Sequence, residues 1–325
     1  MSSPSPEPVR RPFWTRWLRP KSSHNTFVIE GVLGTTMEVQ VVTENASPAD
    51  QVHERVLAEI DRLEAVFSVF RPDSELNRWQ RGEIRDGLSP ELMEVLTACD
   101  GWMKWSSGAL NPAVESLTRL WRDAEQANAL PEDDDIQKMR ALVSKPLWDL
   151  EGTPTLKTEL PISLNALAKG YIVDKSCQVL TEVLGVSAGL INIGGDIRHF
   201  GSSPTRVSIQ DPFTTVDNAT PVASVLINGE GICTSGPSRR GFLIAGQRFS
   251  HIIDPRTGYP TERTASASVI APSAMEADAL ATIFCVLTPQ KSLALADTLP
   301  DVRCLLFTDD GAQYANARWL QTSNT

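Results

Sequence analysis

Apolar and polar residues alternate over residues 36–43, placing Met37, Val39 and Val41 on one side of an extended chain after the turn-forming Gly34. A period of two is that of a strand with one buried face. The period then changes. Between residues 50 and 67, Val52, Val56, Ile60, Leu63 and Phe67 recur at helical spacing and predict an amphipathic helix. Ser89-Pro90 predicts the start of a second helix, a capping hydroxyl followed by a proline in the first turn, with its end near Gly108. Residues 112–127 predict a third helix. Acidic residues 131–135 read as the first turn of a fourth, where carboxylates meet the positive end of the helix dipole.

Beyond Trp148 short β-type runs dominate, at residues 190–193, 206–209, 222–227 and 241–245, each bounded by Gly, Pro or Asp. Helices over residues 165–184 and 273–287 interrupt them, and a further short helix and a strand over 302–307 follow. Strands and helices mix without regular βαβ alternation, which predicts an α+β fold of mixed, largely antiparallel sheets packed with helices. No internal repeat is visible. The expected organisation is a disordered tail over 1–24, one domain over 25–310, which two lobes flanking a cleft would also satisfy, and a C-terminal tail over 311–325.

With 325 residues, 41% hydrophobic and 22% charged, the chain has the composition of a soluble globular protein large enough for a sizeable core. A net charge of -10, with no basic tract beyond the N-terminus, argues against nucleic-acid binding, which needs clustered Lys and Arg. An anionic ligand would need local help from helix N-termini, backbone amides, a few placed cations or a metal. Cys99, Cys177, Cys233, Cys285 and Cys304 stand singly in apolar surroundings, without zinc or disulfide spacing, and read as buried thiols of a reducing compartment. The opening residues hold no apolar run of signal-peptide length and no lipidation cysteine. No segment reaches the ~20 apolar residues that span a bilayer. The expected address is the cytoplasm, and a periplasmic one would require a different start.

Residues 248–260, R-F-S-H-I-I-D-P-R-T-G-Y-P, hold one of only four histidines, with His251, Asp254 and Arg256 where a chain leaves a strand. The same residues fit a plain turn, because Asp-Pro starts turns and Thr-Gly ends them. In A-M-E-A-D-A-L-A-T, Asp278 and Thr282 share one helix face and offer hard oxygens suited to Mg²⁺. A dipole-favoured Asp and a back-bonded Thr explain that spacing equally. The run S-L-N-A-L-A-K-G-Y, residues 163–171, enters a helix with free backbone groups near Asn165 and Ala166 and a cation at Lys169: a phosphate or metal corner, or an ordinary cap. I-N-I-G-G-D-I, residues 191–197, lets a ligand approach its backbone or forms a hairpin turn. Thr234-Ser235-Gly236 with Arg239 and Arg240 suits a phosphate, or is a solvated loop.

In this order, with V-L-G-T-T-M, F-S-V-F-R-P-D-S-E-L and S-G-A-L-N-P upstream, the segments resemble the FAD:protein FMN transferases, the ApbE-type flavin transferases. The resemblance covers about residues 31–307, and its most specific blocks are H-I-I-D-P-R-T-G and A-P-S-A-M-E-A-D-A-L-A-T. It implies a T-fold-like core and Mg²⁺-dependent cleavage of the FAD pyrophosphate. FAD is then a substrate, FMN passes through its phosphate to a Thr or Ser of an acceptor protein, and AMP is released. It further implies that Mg²⁺ is held by the Ala166 carbonyl, Asp278 and Thr282, and that Leu33, Phe70, Ala109, Leu110, Asn111, Ser163, Lys169 and Ile253 line the FAD site. His251 becomes the candidate base, and Asp254 orients rather than reacts.

Four positions depart from the family pattern: Asn111 and Ser163 stand where Asp is frequent, Glu115 where Gly is usual and Leu33 where Met is frequent. Family acceptors carry a D-x-[ST]-[GS]-A-[ST] stretch, which this chain lacks, so a separate acceptor protein is expected. An FAD pyrophosphatase yielding FMN and AMP, or a non-catalytic FAD-binding protein, would use the same site.

Overall fold

The computed structural model describes residues 23–43, 49–214, 220–236, 241–261 and 264–322; the Arg239-Arg240 pair and most of the expected N-terminal tail lie outside them. In chain order, β1 (Ser23–Val32) and β2 (Thr35–Thr43) precede five helices: α1 (Ala49–Phe67), α2 (Glu75–Gln80), α3 (Pro90–Trp105), α4 (Glu115–Ala127) and α5 (Asp133–Val143). Two short strands, β3 (Trp148–Asp149) and β4 (Thr155–Leu156), lead into α6 (Asn165–Thr181). A β-rich stretch follows with β5 (Val186–Ile193), β6 (Asp196–Phe200), β7 (Thr205–Ile209), β8 (Ala223–Ile227), β9 (Gly231–Ser235), β10 (Gly241–Ile244), β11 (Gln247–Ser250) and β12 (Thr264–Ala271). The described chain ends with α7 (Ala274–Val286), α8 (Pro289–Ala296), β13 (Arg303–Thr308), β14 (Gln313–Ala315) and α9 (Ala317–Thr322).

Eight strands form one sheet in the order β1-β2-β5-β6-β9-β12-β13-β14, every neighbouring pair antiparallel. The α+β expectation therefore holds. Helices α1, α6 and α7 pack on one face, where Val39, Ile191, Cys233 and Val269 of the sheet share a core with Val56, Val173 and Leu280. On the other face a second cluster joins Leu190, Ile232, Ile270 and Leu305 to Val207, Val225 and Trp319, so the β7–β8 hairpin and α9 cover it. Covering both faces buries all eight residues of β12, its Thr and Ser side chains as well as its Ala, Val and Ile.

The ends of the chain differ from the expected tails. Ser23 and His24 already pair with Thr43 and Val42 in β1. Residues 311–325 include β14 and α9, anchored by Asn316, which donates to the Val302 carbonyl and accepts from Cys304 N–H, and by Trp319, which is 2% exposed. Among the described residues no helix is long and apolar enough to cross a membrane.

Two glycines let α7 seat closely. A Cβ on Gly170 would lie 2.3 Å from the Ala274 carbonyl oxygen, and one on Gly231 would lie 2.4 Å from the Ala274 nitrogen. The N-terminus of α7 is thus pressed between α6 and β9. The Ser273 hydroxyl caps Glu276 N–H, and Asp174 of α6 accepts from Ala274 N–H and Met275 N–H, each at 2.9 Å. Backbone donors that a helix start leaves unpaired are satisfied by residues of its own loop and of a neighbour.

Candidate active site

Helix α7 is apolar nearly all round, so Asp278 enters the interior with it and is only 2% exposed. One oxygen of its carboxylate accepts from Gly170 N–H at 3.3 Å, and the other lies 3.9 Å from Lys169 Nζ. The ammonium sits closer to Asp196, at 2.7 Å from Oδ2, and Asp196 is also 2% exposed. The Lys169 side chain is 46% exposed, so the cation lies at the mouth of the corner with the carboxylates beneath it. Burial pushes the Asp278 carboxyl well above its ordinary range; Lys169 and Gly170 N–H pull the other way, and Asp196 adds to the rise. Lys169 is held above its own ordinary value first by Asp278 and then by Asp196, against partial desolvation.

Two buried carboxyl groups face one ammonium, so ionising both in low-dielectric surroundings is costly unless a second cation joins them. Among the described residues no three His, Cys, Asp or Glu side chains gather as a metal cluster. Mg²⁺ does not require one, because it takes one or two carboxylates and fills its shell with other oxygens, commonly phosphate. The Thr282 hydroxyl, one turn beyond Asp278, stands 3.5 Å from Ser235 Oγ, and Ala166 lies one turn before Lys169. The oxygen donors fit Mg²⁺.

Beside this corner a pocket of about 200 Å³ is lined by Ala109, Leu110, Asn111, Ser163, Ala166, His251, Ile253 and Thr282, among others. Eight of the sequence-predicted site residues thus share one cavity, although they come from separate segments of the chain. Lys169, Asp278 and Asp254 are outside its lining, and so are Phe70 and Leu33. Phe70 is 87% exposed on the turn after α1, and Leu33 packs half-buried against the core at the β1–β2 turn, where its φ is 50°. That turn adjoins the Gly194-Gly195 turn, since Gly194 N–H donates to the Thr36 carbonyl at 3.1 Å.

His251 follows β11, and Ile253 bridges to Pro260 across the turn that contains Asp254. Gly258, at φ +83°, donates to the Asp254 carbonyl at 2.8 Å, and Trp121 Nε1 donates to the Gly258 carbonyl at 2.9 Å. The Asp254 carboxylate is fully engaged by Arg256, through Nε at 2.8 Å, Nη2 at 2.7 Å and the backbone N–H at 2.9 Å. Asp254 therefore braces the turn beside the pocket.

Asn111 and Ser163 have local structural partners. Asn111 donates through Nδ2 to the Val143 carbonyl and accepts through Oδ1 from Ala113 N–H, tying the approach to α4 to the end of α5. An Asp could accept that second bond but, ionised, could not donate the first. Ser163 N–H donates to the Pro112 carbonyl at 2.9 Å and so joins the two loops that line the pocket.

Sequence reasoning marked Asp196 only as an acid after two glycines and Ser235 only as a hydroxyl in a phosphate-like loop. Their partners, Lys169 and Thr282, are 27 and 47 residues away in sequence. Asp174, which seats α7, closes the L-N-A-L-A-K-G-Y-I-V-D run of residues 164–174, whose pattern alone assigns it no role.

The sequence model of the ApbE family matches residues 33–306. The curated FAD:protein FMN transferase of Escherichia coli K12 is 31% identical over 295 residues, covering 84% of this chain and 82% of that protein. The FAD:protein FMN transferase of Vibrio cholerae serotype O1 is 32% identical over 305 residues, covering 88% and 89%. Among solved structures, the flavinyl transferase ApbE of Pseudomonas stutzeri in its apo form superposes with a TM-score of 0.78 at 26% identity, covering 94% of this chain and 98% of that one. Match length, shared fold and the segments gathered around the pocket agree: the chain belongs to the ApbE family.

Proposed function

We propose that this protein is an FAD:protein FMN transferase that cleaves the FAD pyrophosphate with Mg²⁺ and passes FMN to a Thr or Ser hydroxyl of an acceptor protein. The observation that carries the reading is the meeting of His251, Ala166 and Thr282 in one pocket, with Asp278 and the Lys169 cation beside it. At about 200 Å³ the pocket is smaller than the ~300 Å³ from which sites enclosing drug-sized ligands begin. It would take part of the dinucleotide, leaving the pyrophosphate towards Lys169.

In this reading the Ala166 carbonyl, Asp278 and Thr282 hold Mg²⁺, which when bound polarises phosphoryl oxygens and offsets charge on the leaving group. Lys169 at the mouth binds and orients the pyrophosphate. The Ala109–Leu110–Asn111 loop, Ser163 and Ile253 shape the wall that holds the nucleotide. His251 accepts the proton of the acceptor hydroxyl as its oxygen bonds to the phosphorus of the FMN half; the bond from that phosphorus to the bridging oxygen breaks, and AMP leaves with the electron pair. Asp254 keeps the turn in place through Arg256. Phe70 and Leu33 would contact FAD outside the pocket.

The test is incubation with FAD, Mg²⁺ and a peptide carrying the D-x-[ST]-[GS]-A-[ST] stretch, following AMP release and peptide mass. The expected result is peptide gaining one FMN per AMP. AMP without peptide modification would replace transfer with FAD hydrolysis, and bound FAD with neither product would leave a binding protein. In the same assay His251→Ala should lower transfer by about 10²–10⁴ while FAD binding persists; undiminished transfer would remove the base assignment.

A further inference from the structure

Asp196 belongs to neither the metal set nor the pocket wall, yet its carboxylate is the nearer of two to the Lys169 ammonium, 2.7 Å against 3.9 Å for Asp278. The three groups come from three rigid elements: Lys169 from α6, Asp278 from α7 and Asp196 from the first residue of β6. The Gly194-Gly195 turn sets the last of these. Both glycines have positive φ, a Cβ on Gly194 would lie 2.7 Å from Thr35 Cγ2, and Gly195 N–H donates to Asn192 Oδ1 at 3.0 Å. Asp196 is thereby fixed beneath the ammonium by the sheet.

We infer that Asp196 is a positioning residue: it holds and neutralises the Lys169 ammonium so that the Asp278 carboxylate stays available to a divalent cation. This rests on the metal-dependent reading above. A cation and an ammonium compete for the same carboxylate. With both acids present the ammonium is held by Asp196, at 2.7 Å, and Asp278, at 3.9 Å, is left for the divalent cation. Without Asp196, Lys169 has Asp278 as its one remaining acid in this corner, and attraction at low dielectric draws the ammonium onto it.

The experiment uses the full chain and Mn²⁺ alone as the probe, reading free ion by electron paramagnetic resonance. Asp196→Asn should weaken Mn²⁺ binding tenfold or more, and Asp196→Asn combined with Lys169→Met should restore it to within about threefold of wild type, because the competing cation is gone. Unchanged binding in Asp196→Asn, or a double variant as weak as the single one, would overturn the inference and leave the metal site standing. No Mn²⁺ binding by the wild type would overturn the metal reading and this inference with it. Should Asp196→Asn not fold, Lys169→Met alone decides: it must bind Mn²⁺ at least as tightly as wild type, and weaker binding sinks the proposal.

Discussion

Asp278 combines two properties that ordinarily oppose each other, a carboxylate and an almost completely buried position. Its neighbours offset only part of that cost, since burial still dominates and drives its carboxyl upward. A bound divalent cation would offset the rest. Asp278→Asn should therefore raise the Mg²⁺ concentration needed for AMP release by at least tenfold, measured as a metal titration of activity; an unchanged half-saturation would remove Asp278 from the ligand set. The spacing of Asp278 and Thr282 is visible in sequence because four residues on a helix always share a face. Which of two readings that spacing supports is not visible, because burial depends on what surrounds the helix. Asn111 teaches the converse. A residue set against the family pattern turns out to bond two backbone groups, one of them 32 positions away.

At the scale of elements, the site depends on how closely α6 and α7 approach. Gly170 sits where any side chain would strike the Ala274 backbone, and its N–H also reaches Asp278. Gly170→Ala should cost about 1–3 kcal/mol or more of stability, read from chemical denaturation, since backbone on the far side cannot step aside as a side chain tip can. A loss below about 0.5 kcal/mol would mean that the helices part freely. Amphipathic α1 and Ser-capped α3 were legible because their signals are local. Strand β12 was not. Its segment T-A-S-A-S-V-I-A alternates mostly between side chains as small as Ser and Ala, a weak strand signal, and all eight residues are buried once the sheet is covered on both faces. Only the β2 half of the β1–β2 hairpin is legible in the sequence, because β1 begins inside the stretch expected to be a tail.

On the scale of the whole molecule, the sheet is covered on both faces, and the second cover places a histidine in the interior. His199 of β6 is 1% exposed and accepts Gly229 N–H at Nδ1 at 3.0 Å, which requires that nitrogen unprotonated. Burial lowers its affinity for a proton below the ordinary value; a Ser203 backbone bond opposes this, Arg198 adds to it and Glu230 opposes it. The folded state thus binds the proton less readily than the unfolded chain. This contribution is intact above the unfolded value of about 6.5 and is lost as pH falls from there through the lower folded value. Between pH 7.5 and 5.5 the wild type should lose more melting temperature than His199→Gln; equal losses would show that His199 carries none of the dependence.

Local order set much of what could be read from the chain alone: the helices with polar caps and one apolar face, the strand-and-helix mixture, and the run of segments that resembles a flavin transferase. Periodicity, capping and motif spacing act between residues a few positions apart, so sequence suffices for them. Tertiary structure alone decided which acids face Lys169, why Asn111 needs an amide, that β12 is a strand and that residues 313–322 pack rather than trail. Each of these depends on contacts between distant segments, where burial and exclusion of water set the strength of a charge or a hydrogen bond. The histidine beside a turn shows both halves: its motif is local, but the cavity it shares with Ala166 and Thr282 exists only in the folded chain.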